Sequence, residues 1–551
     1  MTTMTPTTTL PGLMQPTPLT LEMIFERFRT VYADGRLIDQ EYETTYGEVA
    51  DRILRLARVL TEELGVQPGD RVATFGHNSI RHFELYYAVP LVGAVLHTIN
   101  VRLFDEQIVW IANHARDSVL FADAALLDQV VGFAPRLETV RTIVRMGRPA
   151  EVPGAVPDLT GTPDIAGPFD HDELIAAAEP LEERPPIDEN AAFGLCYTSG
   201  TTGDPKGVLY SHRAMTLHSF ATCMTDHIGL GERDVVFPVV PMFHAFAWAL
   251  PYAAPLTGAE LVFHGADSSP ANLARVIGDH RVTVSAGVPT IWKSLLPALQ
   301  AGELDADALR LVFVGGSASP RALIEAYDGL GIDYLQVWGM TETGPLACAS
   351  RPRRRHAGMS ADELLDVRER TGTIFAGLQA RVTDDQGRSL PTDGVAVGEL
   401  EVRGPWIASG YYGVEADDRF NDGWLRTGDM AYMERDGYFR IVDRAKDLVK
   451  SGGEWISSVE LEGHLLAHPK VADAAVVAVP SKRWDERPVA VLVATDPADP
   501  PTLEDVREFL LDRVAKWWLP DAIELMAEIP KTSVGKLDKK RMRAQLDLVL
   551  D

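Results

Sequence analysis

The chain has 551 residues, of which 46% are apolar and 24% charged. At roughly 150 residues per domain it has room for several domains with large cores, and this composition excludes a disordered, collagen-like or coiled-coil chain. Asp and Glu outnumber Lys and Arg by 79 to 52, a net charge of −27. That disfavours general nucleic-acid or anionic-membrane binding, yet allows a local positive pocket for an anionic ligand. The three cysteines, Cys196, Cys223 and Cys348, form neither a CxxC pair nor a zinc spacing. A disulfide framework is not expected, and a reducing, cytoplasmic setting fits.

The N-terminal stretch up to Thr20 is Thr/Pro-rich and has no basic and apolar leader pattern, so it reads as an extended arm. Further on, apolar β-rich runs alternate with Gly/Ser/Thr/Pro turns and helical patterns. Val235 to Leu256 is long enough to span a bilayer. Its four prolines and His244 break a spanning helix, which predicts a buried strand, loop and helix instead. Val282–Gly287, Leu309–Val314 and Ile332–Gln336 read as strands, the first two followed by helices opening at Pro289 and Pro320. This alternation predicts an α/β fold with two mainly parallel sheets between helices. Ligands then belong at the carboxyl ends of strands, in the loops after Tyr197, Val314 and Gln336. The loop from Arg351 to Asp366, basic then acidic, reads as surface.

After about residue 370 short strands with Gly/Asp turns predict a small β-rich subdomain, with strands at Gly398–Arg403 and Gly437–Val442. The charged run Asp443–Asp447 follows. Beyond it comes an α+β pattern: helices near Ser458–Leu466 and Leu503–Val514, strands near Ala474–Val479 and Val489–Val493. The expected division is an N-terminal domain over 1–442, a hinge at 443–446, and a small mobile C-terminal domain over 447–551.

Tyr197 to Gly207 reads YTSGTTGDPKG, with three glycines, four hydroxyl residues and Lys206 directly after a strand. Glycines let backbone N–H groups approach an anion, and hydroxyls and a lysine add donors, which suits a polyphosphate. It is not a Walker A loop, because Pro205 precedes the lysine and Gly207 follows it.

With this loop the chain resembles the adenylate-forming superfamily of acyl-CoA synthetases, adenylation domains and luciferases. Trp338–Thr343 (WGMTET), Gly423–Asp429 (GWLRTGD), Tyr438–Lys450 (YFRIVDRAKDLVK) and Pro530–Lys536 (PKTSVGK) follow in the family's order. The strings AVLHTINVRL, PMFHAFAW and VKSGGEWISS are most similar to bacterial medium- to long-chain fatty acyl-CoA synthetases. The resemblance implies attack of a carboxylate on the α-phosphate of ATP, giving acyl-AMP and pyrophosphate. Coenzyme A then displaces AMP. Positioning and charge stabilisation suffice for both steps.

The resemblance also implies roles. Thr198, Ser199, Gly200, Thr201, Thr202, Gly203 and Lys206 would hold the β- and γ-phosphates. Glu342 and Thr198 would bind Mg²⁺, which takes oxygen ligands and keeps several waters. Thr341 would contact the α-phosphate. Gly315, Gly316 and Ser317 would line the adenine edge, and Trp338 would stack on the ring within the stretch Gln336, Val337, Trp338, Gly339, Met340. Asp429 would accept from the ribose hydroxyls, with help from Arg444. Lys536 would bridge carboxylate and α-phosphate while charge builds. Lys446 would be the hinge about which the C-terminal domain turns, presenting Lys536 in one orientation and Lys450 to Trp455, for the pantetheine channel, in the other.

His244 would stand at the carboxylate end of the acyl pocket, with Ala245 beside it and Trp248 one helical turn on. Long-chain relatives often read QGYG where this chain reads QVWG, so Val337 is expected to narrow the tunnel and favour medium, short or branched acids. A ligase that loads a carrier protein, or a CoA ligase for a short, branched or aryl acid, is the alternative. An insertion that would hinder CoA is not evident between Asp429 and Lys536. The arm resembles that of relatives that dimerise through it, which implies a homodimer.

Overall fold

A computed structural model describes residues 14–147, 165–198, 205–451, 454–531, 537–546 and 550. Two large sheets form the N-terminal part. The first has seven strands, in spatial order Ala166–Asp170, Thr142–Met146, Asp117–Asp123, Arg71–Phe75, Val95–Thr98, Ala192–Tyr197 and Gly207–Ser211. All neighbours are parallel except the last pair, which is antiparallel. Gly207–Ser211, the next strand after Tyr197, is thus the antiparallel edge partner of Ala192–Tyr197.

The second sheet holds a parallel run of Asp333–Gly339, Leu311–Val314, Val284–Gly287, Val235–Pro238, Glu260–Val262 and Arg36–Ile38. As expected from the repeating pattern, a helix opens with Pro289 after Val284–Gly287, and Pro320 caps the helix Arg321–Gly329. The expected β-rich subdomain is joined to the second sheet. Asp333–Gly339 pairs antiparallel with Leu346–Ala349, and that pairing carries the same sheet on through Gly372–Ile374, Tyr438–Arg444, Trp424–Met433, Gly398–Arg403 and Gln379–Thr383. Strand periodicity marks each strand but not which sheet it joins. The Arg351–Asp366 stretch is likewise more than a surface loop. It ends in the helix Ala361–Arg368, opened by a Ser360/Glu363 capping box.

The helix Ile80–Leu91 is buried over its full length. Its polar side chains are paired inside: Glu84 forms an ion pair with Arg52 and hydrogen-bonds His171 Nε2 at 2.6 Å, and Arg81 pairs with Glu41 and Asp172. No helix among the described residues is long and apolar enough to cross a membrane.

The C-terminal part has its own five-stranded sheet, built on the long antiparallel pair Val471–Ser481 and Asp485–Ala494. It also has its own core around Val476, Leu461 and Val491. The chain enters it from the strand Tyr438–Arg444, at the predicted hinge. Asp443 is anchored there by Ser458, whose backbone N–H donates to Oδ2 at 2.7 Å.

Candidate active site

Thr198, Gly315 and Glu342 follow the carboxyl ends of parallel strands, while Asp429 and Arg444 pair across the antiparallel continuation of the second sheet. At the hairpin, Thr198 N–H donates to the Lys206 carbonyl at 2.9 Å and Lys206 N–H to Thr198 Oγ1 at 3.2 Å, which closes the base of the glycine loop. Ser199, Gly200, Thr201, Thr202 and Gly203 lie outside the described residues, as does Lys536. Lys206 Nζ pairs with Asp417 Oδ2 at 2.5 Å and sits 4.7 Å from the Tyr411 ring centre. Partial burial alone would raise the Asp417 carboxyl. The Lys206 ammonium and the Arg419 N–H outweigh this and hold it below the usual aspartate range.

Glu342, in a short 3-10 turn after the strand Asp333–Gly339, is 3% exposed. Its Oε1 accepts from Tyr411 OH at 2.6 Å and from Arg419 Nη1 at 2.9 Å. Thr341 beside it is tied through its carbonyl to Tyr210 OH at 2.5 Å. Gly339 admits no side chain, because a Cβ there would come 1.9 Å from the Pro345 carbonyl oxygen. Met340 N–H is capped by Thr343 Oγ1 at 2.7 Å, which fixes the turn that carries Glu342.

A second carboxylate faces the same region. Asp429, on the strand Trp424–Met433, is 2% exposed. It accepts from Trp338 Nε1 at 3.0 Å and pairs with Arg444 Nε at 2.7 Å. Trp338 thus aims its indole N–H at Asp429, with its ring edge-on to Phe439. Gln336 turns elsewhere. Its side chain takes Ser319 N–H and donates to the Glu369 and Arg370 carbonyls, which fixes the turn holding Gly315, Gly316 and Ser317.

The acyl candidates meet at Gly315. A Cβ there would lie 3.0 Å from Val337 Cγ2 and 3.3 Å from Trp248 Cη2. His244 lines a cleft with Thr198, Tyr197, Phe243 and His97. The expected right-handed turn from His244 to Trp248 is not what forms. Ala245, Phe246, Ala247, Trp248 and Ala249 all have φ between 44° and 63°, a left-handed turn without glycine. Such a backbone costs about 1–2 kcal/mol per residue, and it persists only where packing over-determines it. Here Phe246 is walled in by Phe193, Tyr210 and Tyr86, and it fills the space beside Gly194, where a Cβ would come 2.5 Å from its ring. The Ala245 N–H donates to Cys196 Sγ at 3.4 Å. The reversed turn delivers Trp248 to the floor at Gly315.

The lid candidates lie apart. Lys450 and Trp455 are cross-strand partners in the C-terminal domain, with the Lys450 ammonium 5.9 Å from the indole and Trp455 45% exposed. Burial lowers the Lys446 ammonium from its usual range at the start of that domain. No sequence motif marks Tyr411, Asp417 or Arg419. Their only signal is an arginine in an otherwise acidic run just before GWLRTGD.

Comparison with known proteins fits this arrangement. A family model described as AMP-binding enzyme matches residues 25–412, and one described as AMP-binding enzyme C-terminal domain matches 460–536. The chain belongs to the adenylate-forming AMP-binding enzyme family. Within it, the chain is 44% identical to the long-chain-fatty-acid–CoA ligase of Thermus thermophilus, over 97% of both chains. It is 43% identical to the 3-methylmercaptopropionyl-CoA ligase of Ruegeria pomeroyi, over 92% of this chain and 93% of that one. The medium-chain-fatty-acid–CoA ligase of Ectopseudomonas oleovorans is 41% identical, over 91% of this chain and 90% of that one. In fold it matches the anthranilate CoA ligase AuaEII in complex with anthranoyl-AMP, with TM-score 0.84, 24% identity and coverage of 96% and 98%.

Proposed function

We propose that the chain is an AMP-forming acyl-CoA ligase for medium-chain, short or branched carboxylic acids. The observation that supports the choice of acid is the packing of Val337 and Trp248 against Gly315, where a Cβ would meet them at 3.0 and 3.3 Å. On this reading those side chains narrow the acyl pocket. Relatives named for medium-chain fatty acid and for 3-methylmercaptopropionyl-CoA fit this reading, and the 44% identical relative is named for long-chain fatty acid.

In the first half-reaction a carboxylate oxygen bonds to the α-phosphorus of ATP and pyrophosphate leaves. Thr198 and Lys206 hold the β- and γ-phosphates, Asp429 and Arg444 the ribose. Trp338 and the Gly315–Ser317 turn flank the base, and His244 and Thr341 face the carboxylate and α-phosphate. Lys536 supplies the positive charge as the new bond forms. The buried Glu342 carboxylate and the Thr198 hydroxyl are oxygen donors that suit Mg²⁺, a cation that keeps several waters and takes its other ligands from phosphate. When bound, the ion neutralises phosphate charge. In the second half-reaction the coenzyme A thiolate bonds to the acyl carbon and AMP leaves with the bonding electrons. For this step the C-terminal domain turns about Lys446 to present Lys450 and Trp455. We take the working form to be a homodimer in the cytoplasm, and a monomer by light scattering would reject that part.

The test follows pyrophosphate release and acyl-CoA formation, with and without coenzyme A, for acids from acetate to stearate. Turnover that needs coenzyme A and favours octanoate or shorter acids over palmitate is expected. Palmitate turnover equal to octanoate would overturn the size assignment. Adenylate without acyl-CoA would reassign the acceptor to a carrier protein.

A further inference from the structure

Two groups outside the sequence motifs fix the metal carboxylate. Arg419 makes four contacts at once. Nη1 donates to Glu342 Oε1 at 2.9 Å and to Tyr411 OH at 2.5 Å. Nε donates to the Arg426 carbonyl at 3.1 Å, and Nη2 to the Thr427 carbonyl at 3.2 Å. Tyr411 OH in turn donates to Glu342 Oε1 at 2.6 Å. Among the described residues, both donors to this carboxylate fall on the same oxygen, Oε1. A guanidinium held at four points is a fixture and not a displaceable counter-ion. Its planar fork suits such a role better than a lysine.

We propose that Arg419 and Tyr411 are positioning residues for the metal site: by engaging Glu342 through Oε1 they orient the carboxylate and leave Oε2 to the magnesium that accompanies ATP. This rests on the assignment of Glu342 as a metal ligand. The same segment reaches the other side of the site, because Asp417 holds Lys206 and Tyr412 N–H donates to the Gly207 carbonyl at 2.8 Å. Arg419 also grips the carbonyls just before Gly428–Asp429. The stretch from Tyr411 to Arg419 therefore sets metal, phosphate and ribose groups in one frame. Partners that orient a ligating carboxylate typically contribute 10- to 100-fold to metal affinity.

The experiment is ATP binding by calorimetry, without acid, in excess Mg²⁺ and again in EDTA, on the full chain and on Arg419→Gln, Arg419→Lys and Tyr411→Phe. Glu342→Gln is the control, and thermal melts accompany each variant. The wild type should bind ATP more tightly with Mg²⁺ than in EDTA. In Arg419→Gln that ratio should shrink by about 10- to 100-fold, beyond any smaller loss shared by both conditions through the carbonyls beside Asp429. Arg419→Lys should restore part of it, and Tyr411→Phe should lose severalfold. Equal losses with and without Mg²⁺, or no change in either, would overturn the proposal, and so would a larger ratio, which would make Arg419 a competitor of the ion. If Arg419→Gln does not fold, Tyr411→Phe, which removes one hydroxyl, decides by the same ratio. If the wild type itself gains nothing from Mg²⁺, the metal assignment fails first and the proposal with it.

Discussion

The nucleotide side of the site and the domain beyond Lys446 differ in how their charged groups are held. Glu342 and Asp429 are almost fully buried, and each is already matched by an arginine and a second donor. Lys450 and Trp455 stand opposite each other on a short, exposed hairpin, with Lys450 N–H donating to Glu486 Oε2 at 2.9 Å. Charges fixed and neutralised in advance need no reorganisation when substrate arrives. Groups left exposed on the C-terminal domain would act when, as proposed, that domain turns. Substitutions in the first region should therefore weaken binding in both half-reactions, while those in the second should strike one half.

The largest effect should come from Lys536. Lys536→Ala is expected to slow acyl-adenylate formation by about 10²- to 10³-fold. Synthesis of acyl-CoA from supplied acyl adenylate should stay within severalfold of wild type. Pyrophosphate release and thioester formation, measured separately, check this. Equal losses in both would break the contrast between the fixed and the moving region. By the same logic Asp429→Asn should weaken ATP binding by about tenfold, the scale of a hydrogen bond to a charged group, and AMP binding with it. Normal AMP affinity would remove Asp429 from the ribose.

The pocket sharpens the contrast within the fixed region. Val337→Gly opens the space at Gly315 and should raise the palmitate-to-octanoate ratio of kcat/KM by at least about tenfold, the lower end of what one methylene contributes to discrimination. An unchanged ratio would place the length limit elsewhere.

The contiguous motifs were legible because their chemistry is carried by neighbours in sequence. Glu342 in WGMTET and Asp429 in GWLRTGD need no fold to be noticed. Arg419 and Tyr411 act through contacts with residues more than sixty positions away, such as Glu342, and no local pattern marks them. The left-handed turn at Ala245–Ala249 was illegible for another reason. AFAWA favours an ordinary helix, and the opposite hand is imposed by tertiary packing on Phe246. The continuity of the β-rich part with the parallel sheet depends on one pairing, Val337 with Ala349 and Trp338 with Cys348, which strand periodicity does not reveal.

The smallest effect concerns the support behind the acidic motif. His218 is fully buried, and burial lowers its imidazole to about 3. Its Nε2 accepts the Leu346 N–H at 3.0 Å, which requires that nitrogen to be unprotonated and ties the helix His212–Cys223 to the strand after WGMTET. An unfolded histidine titrates near 6.5, so below that pH the unfolded chain takes up a proton that the folded chain refuses. The stabilisation is therefore complete above about pH 6.5 and is lost as pH falls toward the folded value. Between pH 7 and 5 this one group should account for about 1–2 kcal/mol. His82, His212 and His264, each lowered to about 4 by burial, lose stability in the same direction. His218→Gln keeps an acceptor for Leu346 N–H but cannot be protonated. The variant should melt less steeply than wild type as pH is lowered from 7 to 5, while differing little at pH 7. Parallel melting curves for the two proteins would mean that His218 is protonated as readily folded as unfolded, and that the strand carrying Leu346 is held by its sheet partners alone.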